Sequence, residues 1–189
     1  MKHHSLGLML IFTCALYAQP IGIVEGAGNE ADLFDSGISS DNRAQMAMAL
    51  NTLLSNEFIL YTKTLKYHWN VTGPFFGPLH SLFRTQYETL NSQIDMIAER
   101  VRSLGHKALG TLEEFSQYAV ITEQPNINPK DLDMIHHLLK DHETIIKMIR
   151  TYTDLSAKLN DMGSNNFLAT LLETHEKMAW MLRAHLVTQ

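Results

Sequence analysis

From Arg43 to His68 the apolar residues Met46, Leu50, Leu53, Leu54, Phe58, Leu60, Tyr61 and Leu65 recur mainly at three- and four-residue steps. That spacing predicts a long amphipathic helix, with Asp41 and Asn42 standing where an N-cap belongs. The pattern stops between Asn70 and Pro74, where the Gly73-Pro74 pair breaks a helix. It resumes from Pro78 to Leu104 on Leu79, Leu82, Phe83, Tyr87, Leu90, Ile94, Ile97, Ala98 and Val101, and Gly105 supplies a C-terminal stop. Residues 106–129 hold two prolines and a mixed composition, so they read as a connection with room for a short helix. A third helix is predicted from just after Pro129 to Leu159 and a fourth from Ser164 to Leu186. No alternating strand pattern appears.

Four long helices with one long middle connection predict an all-α four-helix bundle with a crossover, the topology of a ferritin-like fold. The expected folded domain is residues 42–187. What precedes it differs in character. Leu6 to Ala18 form an apolar run of 13 residues behind Lys2, too short to span a bilayer and patterned like a secretory signal peptide over residues 1–18. Such a leader suggests export to the periplasm or beyond; a start codon placed ahead of a cytoplasmic protein, and an ordered helix, are the alternatives. Residues 19–41 are rich in Gly, Ser, Asp and Glu, contain no Lys or Arg, and read as a flexible acidic tail. The mature chain therefore has no predicted membrane span.

Composition narrows the chemistry. The 189 residues carry a net charge of −5 and a single cysteine, Cys14. An intramolecular disulfide and a Cys-rich zinc cluster are excluded, so a metal site has to draw on His, Asp and Glu. No glutamate has a histidine three residues on, which disfavours the usual di-iron arrangement inside a bundle. Asp133-x-x-His136, with His137, Asp141 and His142, reads as a solvated helix face.

A second set does stand out: His68, His80, Asp95 and Glu99. Asp95 and Glu99, at i and i+4, project from one face of the second helix. His68 and His80 flank the helix break, and a tight turn brings them together. Fifteen residues separate His80 from Asp95, about 22 Å along a helix, far beyond the reach of a metal bond. Either the four residues form separate buried acid–histidine pairs, or two chains contribute to one metal. In the second case antiparallel second helices across a two-fold axis give two sites, each with two His from one subunit and two carboxylates from its neighbour.

The run KYHWNVTGPFFGPLHSLFRTQYETLNSQIDMIAERVRSLG, from Lys66 to Gly105, resembles the signature of the Dps family of mini-ferritins. YTK at Tyr61 to Lys63, DHETI at Asp141 to Ile145 and HEKMAWMLRA at His175 to Ala184 extend the likeness over residues 42–187. The resemblance implies a twelve-subunit shell that oxidises Fe(II), preferably with hydrogen peroxide, and stores ferric mineral. It implies that His68 and His80 ligate iron together with Asp95 and Glu99 of the two-fold partner. No organic cofactor is implied.

Several departures and secondary positions follow from the same resemblance. Where the family often has an acid four residues after the second histidine, this chain has Arg84. Trp69, beside His68, is an oxidisable indole suited to intercept radicals, or an interface packing residue. Family pores lie near the start of the last helix, where Asn166 replaces a commonly acidic residue and Glu176 keeps its charge; Asp161 and Glu173 are further candidates there. His175 reads as a packing or surface residue, and Met178, Trp180 and Met181 as core. DNA binding through a Lys-rich tail is disfavoured, because residues 19–42 and the four residues after His185 contain no base. A metal-free secreted interaction protein is the remaining alternative.

Overall fold

A computed structural model describes residues 35–187. The leader read over residues 1–18, and the tail as far as residue 34, lie outside them. Five helices follow in order: α1 Ser40–Asn70, α2 Phe76–Ser103, α3 Leu112–Tyr118, α4 Asp131–Lys158 and α5 Met162–Ala184. No strand occurs among the described residues. The four long helices fall within a few residues of the predicted limits, and the short α3 fills part of the predicted connection.

α1 starts earlier than its apolar stripe suggests. Ser39, not Asp41 or Asn42, is the N-cap: its side chain accepts from the backbone N–H of Asn42. Arg43, at the predicted first position, is buried and donates to the Ile38 carbonyl at 2.5 Å. α1 and α2 form one antiparallel hairpin about a turn in which Gly73 has φ +102°, a conformation natural to glycine. α4 and α5 form the other, turning at Asn160 with φ +59°. Leu50, Leu53 and Leu60 of α1, Leu79, Phe83, Leu90 and Ile97 of α2, Leu138, Ile145 and Ile149 of α4, and Leu168 and Leu182 of α5 have no exposed surface and make the shared core.

The crossover is fastened to α1 by two asparagines. Asn51 donates to the Lys107 carbonyl and accepts from the Leu109 N–H, while Asn56 Oδ1 accepts from the backbone N–H groups of Val120 and Ile121. A reciprocal capping box between Thr111 and Glu114 starts α3, and Phe115 stacks on Phe58 with centroids 4.4 Å apart. No described helix is long and apolar enough to cross a membrane.

Candidate metal centre

His68 lies in the last turn of α1, where main-chain carbonyls have run out of helical partners. His80 lies near the start of α2. The turn between them places their rings in a stack, with centroids 3.8 Å apart and planes inclined by 22°. Nδ1 of His68 is 2.7 Å from the carbonyl oxygen of His80, and Nδ1 of His80 is 2.9 Å from that of His68. A carbonyl only accepts, so both Nδ1 atoms carry hydrogen and donate. In the neutral rings this leaves both Nε2 lone pairs free. Such an orientation suits metal ligation, in which the second ring nitrogen is held by a hydrogen bond. Tyr87 meets His68 edge-on at 5.2 Å and Phe76 packs on His80 at 5.0 Å, which restrains both rings. His68 is only 7% exposed.

Asp95 and Glu99 sit on the exposed face of α2, one turn apart. Although Ile94, Ile97 and Ala98 of the predicted apolar face adjoin them in sequence, neither acid is buried, and of those three only Ile97 is fully buried. Among the described residues no group of three or more His, Cys, Asp or Glu is assembled to hold a metal within one subunit. The structure thus pairs the two histidines with each other and leaves the two carboxylates on the subunit surface.

The remaining positions divide. Arg84 is exposed and bound to Glu88 at 3.1 Å. Trp69 is 68% exposed. Asn166 and Glu176 are both at the surface, and Glu176 is held by Arg150 at 2.5 Å. Asp161 is unsuited to a pore: it is buried, accepts from Arg100 at 2.7 Å and from Ser164, and caps α5. Glu173 is exposed and lines a groove between α2 and α5 with Thr85, Thr89 and Lys177. Trp180, expected in the core, is 58% exposed, whereas Met178 is buried and Met181 half-buried.

The stretch read as a solvated face of α4 is solvated only in part. Asp133 and His136 are exposed. Asp141, however, pairs with buried Lys63 at 2.6 Å, His137 Nδ1 is 3.1 Å from the Tyr67 hydroxyl, and His142 is fully buried. Burial, and then the charge of Asp141, push the Tyr67 phenol up to about 12. Sequence reasoning missed Glu57 altogether; it lies fully buried on α1 beside His175. The signal was present, because Glu57, His142 and His175 each occupy a position on an otherwise apolar stripe.

Residues 47–188 match the family model described as a ferritin-like domain, and the chain is a member of that family. A low temperature-induced protein of Nostoc is 40% identical over 154 residues, covering 81% of this chain and 86% of that one. DNA protection during starvation protein 2 of Bacillus anthracis is 30% identical over 142 residues, covering 75% and 97%. Among solved structures, DpsC from Streptomyces coelicolor superposes with a TM-score of 0.80 at 29% identity, covering 82% and 91%. A Dps protein of Vibrio cholerae, described as belonging to a superfamily of ferritin-like diiron-carboxylate proteins, gives 0.76 at 27% identity over 79% and 94%. Within the ferritin-like family the chain belongs to the Dps proteins.

Proposed function

We propose that this protein is an iron-storing mini-ferritin whose ferroxidase sites lie between subunits, with His68 and His80 from one chain and Asp95 and Glu99 of the partner subunit. The observation that carries this reading is the mutual carbonyl clamp of the two histidines, which occupies both Nδ1 atoms and so leaves both Nε2 lone pairs available as ligands, while the carboxylates lie exposed about 22 Å away along α2. Imidazole and carboxylate suit Fe(II), and the two acids offset the charge that rises on oxidation to Fe(III). Iron is substrate and cargo. Two Fe(II) give two electrons to one hydrogen peroxide, which with two protons becomes two waters, so no hydroxyl radical is released. The ferric product collects in a shell of twelve subunits built from two-fold dimers, and protects against oxidative stress. Asn166 and Glu176 belong to the iron entry route, and Trp69 to radical interception beside the site.

The test is ferrous oxidation by peroxide on the assembled protein. His68→Ala/His80→Ala abolishes it while leaving helical content and assembly unchanged; a variant oxidising iron at the unaltered rate refutes the assignment.

A further inference from the structure

The interior of the bundle contains a row of ionisable side chains that the iron site does not use. Glu57 of α1 and His175 of α5 are fully buried, with Nε2 of His175 2.7 Å from Glu57 Oε1. The other ring nitrogen of His175 faces Nδ1 of His142, on α4 and also fully buried, at 3.0 Å. Three helices therefore meet in one linear Glu–His–His chain. Its two outer atoms, Glu57 Oε2 and His142 Nε2, are buried without a hydrogen-bond partner. Well-packed apolar residues commonly serve a bundle core at least as well as buried ions, so packing alone gives no reason for this row.

Geometry limits how many protons the row holds. A contact between two imidazole nitrogens is a hydrogen bond only when one is protonated and the other is not. One proton therefore sits between the two Nδ1 atoms, whichever ring owns it. A further proton on His142 breaks this bond if it lands on Nδ1, and if it lands on Nε2 it makes a charged ring whose new N–H has no acceptor; both are costly in a site closed to solvent.

Little else offsets that charge. On α1, Glu57 already faces His175, and Lys63 further along is matched by Asp141 of α4 itself. From α5, His175 is the ionisable group in contact; Glu176 lies outside on Arg150. On α2, buried Gln86, which donates to the Met178 carbonyl of α5, is neutral. Burial first, and the charge of His175 second, hold His142 well below the ordinary histidine range.

We propose that the Glu57–His175–His142 chain is a proton-operated latch, which joins α1, α4 and α5 while the His142 ring is neutral and releases them when that ring takes up a proton. The opened chain binds a proton at His142 near the ordinary histidine value, about 6.5, and the closed chain only at much lower pH. The latch is therefore fully effective above about 6.5 and weakens by up to tenfold per pH unit below it, until the closed-state value is reached. Acid thus loosens each subunit from within.

Hydrogen–deuterium exchange on the full-length assembled protein tests this, with rates corrected for the intrinsic pH dependence of exchange. Between pH 6.5 and 5, core amides of α4 and α5 around His142 and His175 open up to tenfold more per pH unit in the unaltered protein. In His142→Gln, which forms hydrogen bonds but takes no charge there, that pH slope is lost whatever the absolute stability. His142→Asn serves if the Gln variant does not assemble. A flat profile in the unaltered protein, or equal slopes in both proteins, overturns the proposal.

Discussion

Arg84 stands four residues after His80, exposed and tied to Glu88. A guanidinium keeps its charge at any working pH and repels a cation beside the first. An anaerobic ferrous titration is therefore expected to show one tight ion per inter-subunit site, rising to two in Arg84→Asp; two tight ions in the unaltered protein contradict this. Lys63 and Asp141 make a second prediction at the same scale. Their 2.6 Å pair is 6% and 14% exposed on the two sides, so Lys63→Met strands a carboxylate whose pKa burial already raises. Chemical denaturation should show a loss of about 3 kcal/mol, mostly recovered in Lys63→Met/Asp141→Leu. The residues legible in the sequence were those that speak locally: His68 and His80 flank one turn, and Asp95 and Glu99 share one helix face. Glu57 and His175 are 118 residues apart, and only the packing of three helices makes them neighbours.

The helices were legible because their apolar stripes are long and regular. Their ends were less so, since capping depends on single side chains: Ser39 starts α1 through one hydrogen bond that its neighbours Asp41 and Asn42 were equally equipped to make. Asp161 shows how much one such residue carries. It caps α5, and through Arg100 it ties the end of α2 to the start of α5. Asp161→Ala is expected to cost about 2 kcal/mol in thermal or chemical denaturation, with the iron-oxidation rate per folded subunit unchanged. A loss of iron uptake without loss of stability would instead return Asp161 to the pore. His142 and His175 lie on stripes otherwise made of Leu138, Ile145 and Ile149, and of Leu168, Leu171 and Leu182. A polar residue on a buried stripe is a readable anomaly; what it bonds to is not.

For the whole molecule, charge argues against nucleic acid as a partner, and the exposed apolar surface fits the proposed association of like subunits. The chain has a net charge of −5 and no Lys or Arg in residues 19–42, so gel retardation at low salt should show free DNA; a retarded band that disappears at higher salt would reverse that reading. Trp69 at the end of α1, Phe75 on the turn, and Phe76 and Met96 on α2 are large exposed apolar side chains, near the histidine pair and the acid-bearing face that the proposed two-fold dimer brings together. The central claim is that each site is shared between two chains, and subunit mixing tests it most directly. Shells of His68→Ala/His80→Ala alone, and of Asp95→Asn/Glu99→Gln alone, should oxidise no iron with peroxide. Co-assembled in equal amounts with random pairing, half the dimers contain one variant of each kind, and each of these rebuilds one intact site of its two, restoring about a quarter of the unaltered activity. Mixed shells that assemble yet remain inactive would mean that the four residues do not act across a subunit boundary.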